Sequence, residues 1–129
     1  MNNTQKLLNL AIKAAENAYA PYSKFHVGAA ILADNGKMYA GCNVENISFP
    51  VGTCAEAGAI AAMIADGGKK IAEILIFADS KQLISPCGAC RQRILEFAMP
   101  QTTVHLANKE SVKKSIKAAE LLPYSFSEF

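Results

Sequence analysis

A chain of 129 residues with 51% apolar and 19% charged residues has the length and balance of one soluble domain spanning 1–129. A net charge of +2 with scattered lysines excludes a polyphosphate-binding face, so no nucleic-acid partner is expected. No apolar run reaches the roughly 18 residues of a membrane span, and the N-terminal stretch carries Lys6, Lys13 and Glu16 where a signal peptide would be uninterrupted. The expectation is a cytoplasmic protein without membrane contact, whose four cysteines, Cys42, Cys54, Cys87 and Cys90, are reduced, metal-bound or catalytic.

In chain order, apolar residues at three- and four-residue spacing predict an amphipathic helix over 4–20, ended by Pro21. "HVGAAILA" (26–33) reads as a buried strand, "DNG" (34–36) as a hairpin turn and "KMYAGCNV" (37–44) as the returning strand. A loop over 45–52 leads to a helix with Thr53 as N-cap and Gly67-Gly68 as its stop. Residues 71–78 predict a strand. Ser85 as N-cap and Pro86 at the first helical position predict a helix to about 98. Strands over 102–107 and 111–117 and a helical turn over 118–122 complete the chain. Five strands alternating with helices in the middle imply a mixed, partly parallel sheet with helices on both faces.

The chemistry concentrates at two helix starts. "TCAE" holds Cys54 and Glu56, and "SPCGAC" holds Cys87 and Cys90 one turn apart. Helix N-termini favour thiolates. Three thiolates converging on one ion suit zinc, and three protein ligands leave its fourth position open for water. A closed structural zinc site with a fourth ligand, and a dithiol redox pair, are the other uses of such cysteines. Cys42, His26 and His105 each stand alone on a strand and read as packing residues. Glu56 fits a capping box with Thr53, or a proton-transfer group beside metal-bound water.

"CAE" at 54–56 followed by "PCGAC" at 86–90 resembles the zinc-deaminase signature, with cysteine in the histidine place. "APYSKFHVGAAIL", "GCNVENISF", "TCAEAGAI", "PCGACRQ" and "LLPYSF" extend the resemblance, in order, to the small homotetrameric cytidine deaminases over almost the whole chain. The resemblance implies a three-layer α/β/α fold and one zinc per subunit on Cys54, Cys87 and Cys90. It implies hydrolytic deamination of cytidine and 2'-deoxycytidine by zinc-bound hydroxide, with release of ammonia, in pyrimidine salvage. Glu56 would shuttle the proton and the Ala55 carbonyl would receive the exocyclic amino group. Asn43 and Glu45 would bind the ribose hydroxyls, and Phe25 would pack on the pyrimidine. Phe126 would close a neighbour's site in a homotetramer with shared active sites. The rivals are a related deaminase acting on a blasticidin-type nucleoside or RNA cytosine, and a non-enzymatic zinc module.

Two positions depart from that family's pattern. Ala57 stands where many relatives carry arginine, so the helix N-termini or Arg91 would have to offset the thiolate charge. Phe49 in "SFPVG" lacks the hydroxyl of the tyrosine usual there.

Overall fold

The computed structural model describes all residues, Met1–Phe129. The elements in chain order are α1 (Asn3–Glu16), β1 (Val27–Ala33), β2 (Met38–Cys42), α2 (Ala55–Ala65), β3 (Ile71–Ala78), α3 (Gly88–Phe97), β4 (Ala98–Ala107) and β5 (Val112–Lys117). Short 3₁₀ turns occupy Phe49–Val51 and Ala118–Leu121. The sheet has the order β2-β1-β3-β4-β5, with β3 and β4 parallel and the other neighbours antiparallel. This is the mixed five-stranded sheet expected from the sequence.

Leu7, Ala11 and Ala15 of α1 pack on Ala30, Leu75, Phe77 and Ala107 on one face of the sheet. Ala55, Ala59, Ile60 and Met63 of α2, with Ile94 of α3, pack on Ala29, Ile31, Ile74, Ile76 and Val104 on the other. Two glycines set how closely the layers approach. A Cβ on Gly28 would lie 1.9 Å from the Ala11 carbonyl oxygen of α1. One on Gly41 would lie 2.4 Å from the Ala59 nitrogen and 2.6 Å from the Ala55 oxygen of α2. Glycine on each strand, facing alanine on each helix, lets the backbones touch.

The topology places the site. β2 and β3 run the same way on either side of β1, and each is followed by a helix on the same face of the sheet. The N-termini of α2 and α3 therefore come together above the carboxyl ends of those two strands.

Element boundaries moved where distant backbone groups competed with local pattern. The first helix ends at Glu16 rather than at Pro21, because Tyr19 pairs with the far end of the hairpin: its N–H donates to Asn43 O and its carbonyl accepts from Glu45 N. Thr53 is not a cap. It exchanges both backbone hydrogen bonds with Val44, at 2.8 and 2.9 Å, so the chain stays extended and Cys54 becomes the N-cap of α2. The capping box with Glu56 is thereby lost, since α2 has no side-chain cap bond. Ser85 likewise yields the N-cap of α3 to Cys87, and Pro86 precedes the helix. β4 begins at Ala98, earlier than expected, with a register shift that lets buried Thr102 donate to the Ile71 carbonyl.

Candidate active site

Cysteines occupy both helix caps, and the carboxyl ends of β2 and β3 bring them together. The Sγ atoms of Cys54, Cys87 and Cys90 all lie within 4.8 Å of one another. Zn–S bonds of about 2.3 Å in a tetrahedron set sulfur–sulfur separations of about 3.8 Å, so a small contraction closes the trio on one ion. A soft, three-thiolate donor set with one side open fits zinc. Cys42 is half-buried on β2 and lies outside the trio. His26 faces the Ala15 carbonyl at 3.3 Å, and buried His105 is held between Glu73 and Ser115, so neither histidine joins the cluster.

The helix-start environment does not lower all three thiols of the metal-free chain. Burial pushes Cys54 and Cys90 up. At Cys87 burial pushes the same way but is outweighed by the Cys90 N–H, at 3.5 Å, and by the neighbouring thiols, which hold it below its ordinary value. Cys87 is also the exposed member of the three.

Glu56, in the first turn of α2, is 5% exposed. Burial raises its carboxyl above the usual range, against its own backbone N–H, the Cys90 thiol and the Arg93 charge. A carboxyl lifted in this way gives up its proton less readily than an exposed one, the direction a proton-transfer group needs. Ala55 is buried beside it.

A cavity of about 510 Å³ opens beside the cluster, lined by Cys54 together with Tyr22, Ser23, Asn43, Glu45 and Phe49. Asn43 is clamped: its Oδ1 accepts from Val27 N at 2.9 Å and its Nδ2 donates to Phe25 O at 2.8 Å. Glu45 accepts from the backbone N–H groups of Tyr22 and Ser23 at 3.0 and 3.1 Å, and from the Ser23 hydroxyl. That hydroxyl, with the two N–H groups, outweighs desolvation and holds Glu45 ionised below the ordinary carboxylate range. Phe25 is half-buried behind this turn and does not line the cavity within one chain. Phe126 is 67% exposed, meets Phe129 in a tilted ring contact with centroids 5.6 Å apart, and is not among the cavity residues of its own chain.

Sequence reasoning missed three residues here. Tyr22 and Ser23 order Glu45, and only the tertiary meeting of residues 22–23 with residue 45 shows it. The third is Arg93. Arg91, named as a charge partner for the cysteines, is committed elsewhere: Nε to Pro86 O, Nη1 to Leu121 O and Nη2 to Ser85 Oγ. Arg93 is the arginine whose guanidinium reaches the cluster, donating from Nη1 to Cys90 Sγ at 3.3 Å. Its place three residues after Cys90 on a helix was the available signal.

Comparison with known proteins agrees with this geometry. Residues 1–106 match the family model described as the cytidine and deoxycytidylate deaminase zinc-binding region. A cytidine deaminase from Sporosarcina psychrophila is 42% identical over 98% of this chain and 93% of its own length. A blasticidin-S deaminase from Bacillus cereus is 32% identical over 98% of this chain and 96% of its own. The crystal structure of cytidine deaminase from Burkholderia pseudomallei superposes with a TM-score of 0.89 at 40% identity, covering 98% of this chain and 100% of that one.

Proposed function

The chain belongs to the cytidine and deoxycytidylate deaminase family and is a zinc-dependent hydrolytic deaminase, and on that premise we propose how its residues divide the work on cytidine and 2'-deoxycytidine. The observation that carries the reading is the buried Glu56 carboxyl beside three converging thiols, with a cavity opening at Cys54.

Cys54, Cys87 and Cys90 would hold one zinc per subunit. When bound there, zinc supplies the activation of a water molecule as nucleophile. Glu56 would accept a proton as water adds to C4, pass it to the pyrimidine ring nitrogen N3, and then relay the proton of the new C4 hydroxyl to the amino nitrogen, so that the C4–N bond breaks, ammonia leaves and the C4 carbonyl forms. Its burial excludes bulk water from the transfer. The Ala55 carbonyl receives the exocyclic amino group. Asn43 and Glu45 present polar atoms to the ribose, and Ser23 fixes the carboxylate that does so. Phe25 is assigned to the pyrimidine by the family resemblance alone, since within one chain it does not line the cavity.

The oligomeric part of the proposal rests on the tail. Phe126 is exposed on its own chain and lies outside its own cavity, so it is available to a neighbour's site in a homotetramer. Mixing separates a shared site from a self-contained one. Glu56→Gln subunits keep the tail, and Phe126→Ala subunits keep the shuttle. Co-assembled, they are expected to exceed the summed activity of the two homo-oligomers. No gain in verified mixed assemblies would place the tail's role within its own chain.

We further infer one catalytic domain over 1–129, acting in the cytoplasm in pyrimidine salvage. The chain has no helix long and apolar enough to cross a membrane. A blasticidin-type substrate is the second reading, favoured by the Bacillus cereus relative. The test is ultraviolet monitoring of cytidine, deoxycytidine and blasticidin S with purified protein, with zinc measured on the same sample. Loss of cytidine with one zinc per chain is expected. Turnover of blasticidin S alone would reassign the substrate. A zinc-loaded protein that releases ammonia from none of them would be a non-enzymatic zinc module.

A further inference from the structure

Three thiolates around Zn²⁺ sum to a charge of −1, and an uncompensated negative site weakens the metal as a Lewis acid. Position 57, in the first turn of α2, is alanine and supplies no charge. Arg91 makes no hydrogen bond to the sulfurs, because its guanidinium N–H groups go to two carbonyls and a hydroxyl. Arg93 sits one helical turn beyond Cys90 and donates to its Sγ at 3.3 Å. Its charge is also felt by Cys54, Cys87 and Glu56.

We propose that Arg93 is a positioning residue for the reaction: it neutralises the excess thiolate charge through Cys90 Sγ, and so holds the metal in its active electronic state. The inference rests on the zinc-deaminase reading above. A guanidinium donating to a metal-bound sulfur withdraws electron density from it, which leaves the metal more positive. Arginine does this without itself titrating. The side chain lies at the solvent edge of α3, so its charge can be removed without opening the core.

The test compares full-length wild type with Arg93→Gln and Arg93→Lys, all zinc-loaded. Two quantities are read: zinc transfer to a chromophoric chelator, and the steady-state kcat and KM for cytidine. Arg93→Gln is expected to hold zinc about tenfold less well and to lose about tenfold in kcat, the lower end of what removing a ligand's outer partner costs. KM should stay within about twofold, and Arg93→Lys should recover most of both losses, because the charge survives though the fork is gone. The inference is overturned if Arg93→Gln matches wild type in both readouts, if Arg93→Lys is as impaired as Arg93→Gln, or if the loss falls on KM alone. A wild-type protein that holds no zinc and releases no ammonia would instead overturn the deaminase reading, and this inference with it.

Discussion

The helix starts on the two faces of the sheet are built differently. α1 begins conventionally: Asn2 Oδ1 accepts from Gln5 N at 2.9 Å, capping an amphipathic helix whose one task is to cover the sheet. α2 begins at Cys54 with no side-chain cap bond at all, and α3 begins at Cys87, whose sulfur makes a long contact of 3.5 Å. Oxygen is the better cap and sulfur the better zinc ligand. On the α1 face the cap position serves stability. On the α2–α3 face it has been given to chemistry, and those two helices are held by packing instead. Function here is located where a local stabilising rule is broken.

The largest expected effect tests the chemical face directly. Glu56→Gln should keep fold and zinc while turnover falls by roughly 10²–10⁴-fold, the usual contribution of a positioned acid–base group. Near wild-type turnover would remove Glu56 from the mechanism.

The second effect sharpens the contrast between faces. Gly28→Ala and Gly41→Ala each drive a methyl into helix backbone, at 1.9 and 2.4 Å, so both should lower Tm by an amount matching at least the roughly 1–3 kcal/mol of overpacking. At temperatures where both stay folded, only Gly41→Ala should also reduce zinc content, because it pushes α2, and Cys54 with it, away from α3. Equal zinc loss in both would mean that the faces are not separable.

A third test exchanges the caps. Asn2→Ala should cost about 1 kcal/mol in denaturant unfolding, with kcat unchanged. Cys54→Ser should do the reverse: it should stabilise the metal-free chain by roughly 0.5–1 kcal/mol, since a serine N-cap accepts where cysteine does not, while zinc binding and turnover are lost. A destabilised metal-free Cys54→Ser would show that the thiol already contributes to holding α2.

The smallest effect lies away from both helices. Asp34 Oδ1 accepts from the N–H groups of Lys69 and Lys70 at 3.0 and 3.2 Å, and these bonds lower its pKa. A depressed carboxyl contributes stability above its unfolded pKa and loses it as pH falls through the folded one. Asp34→Asn should therefore be slightly less stable than wild type at neutral pH, and the gap should close in acid. A gap that widens in acid would reverse the assignment.

The convergence of Cys54, Cys87 and Cys90 was legible because their spacings are short and their residue type rare. The layering was legible from periodicity. What sequence could not supply was the true start of each helix. Thr53 is a good cap in isolation, but Val44, brought alongside by the hairpin, takes its backbone. Nor could sequence supply the direction of the arginine side chains. Arg91 directly follows Cys90, but its guanidinium turns away to Pro86 O, Leu121 O and Ser85 Oγ, contacts that sequence does not announce. Cys90 lies inside α3, so its neighbour three residues on, Arg93, is the one that meets it. The partners of Glu45 depend on a turn containing Lys24 at a φ of 61°, which no short pattern announced.

The three sulfurs belong to two successive strand–helix units, with all of β3 lying between Cys54 and Cys87. An ion shared by them works as a reversible cross-link, closing a large ring in the chain. Because the site exists only in the folded chain, the ion adds an increment to folded-state stability that rises with free zinc. The apparent melting temperature should then follow free zinc, and chelation should loosen the seam between α2 and α3 while leaving α1 clamped on the far side of the sheet. Amide exchange along the three helices would show that difference as a metal-dependent gradient across a single layer of strands.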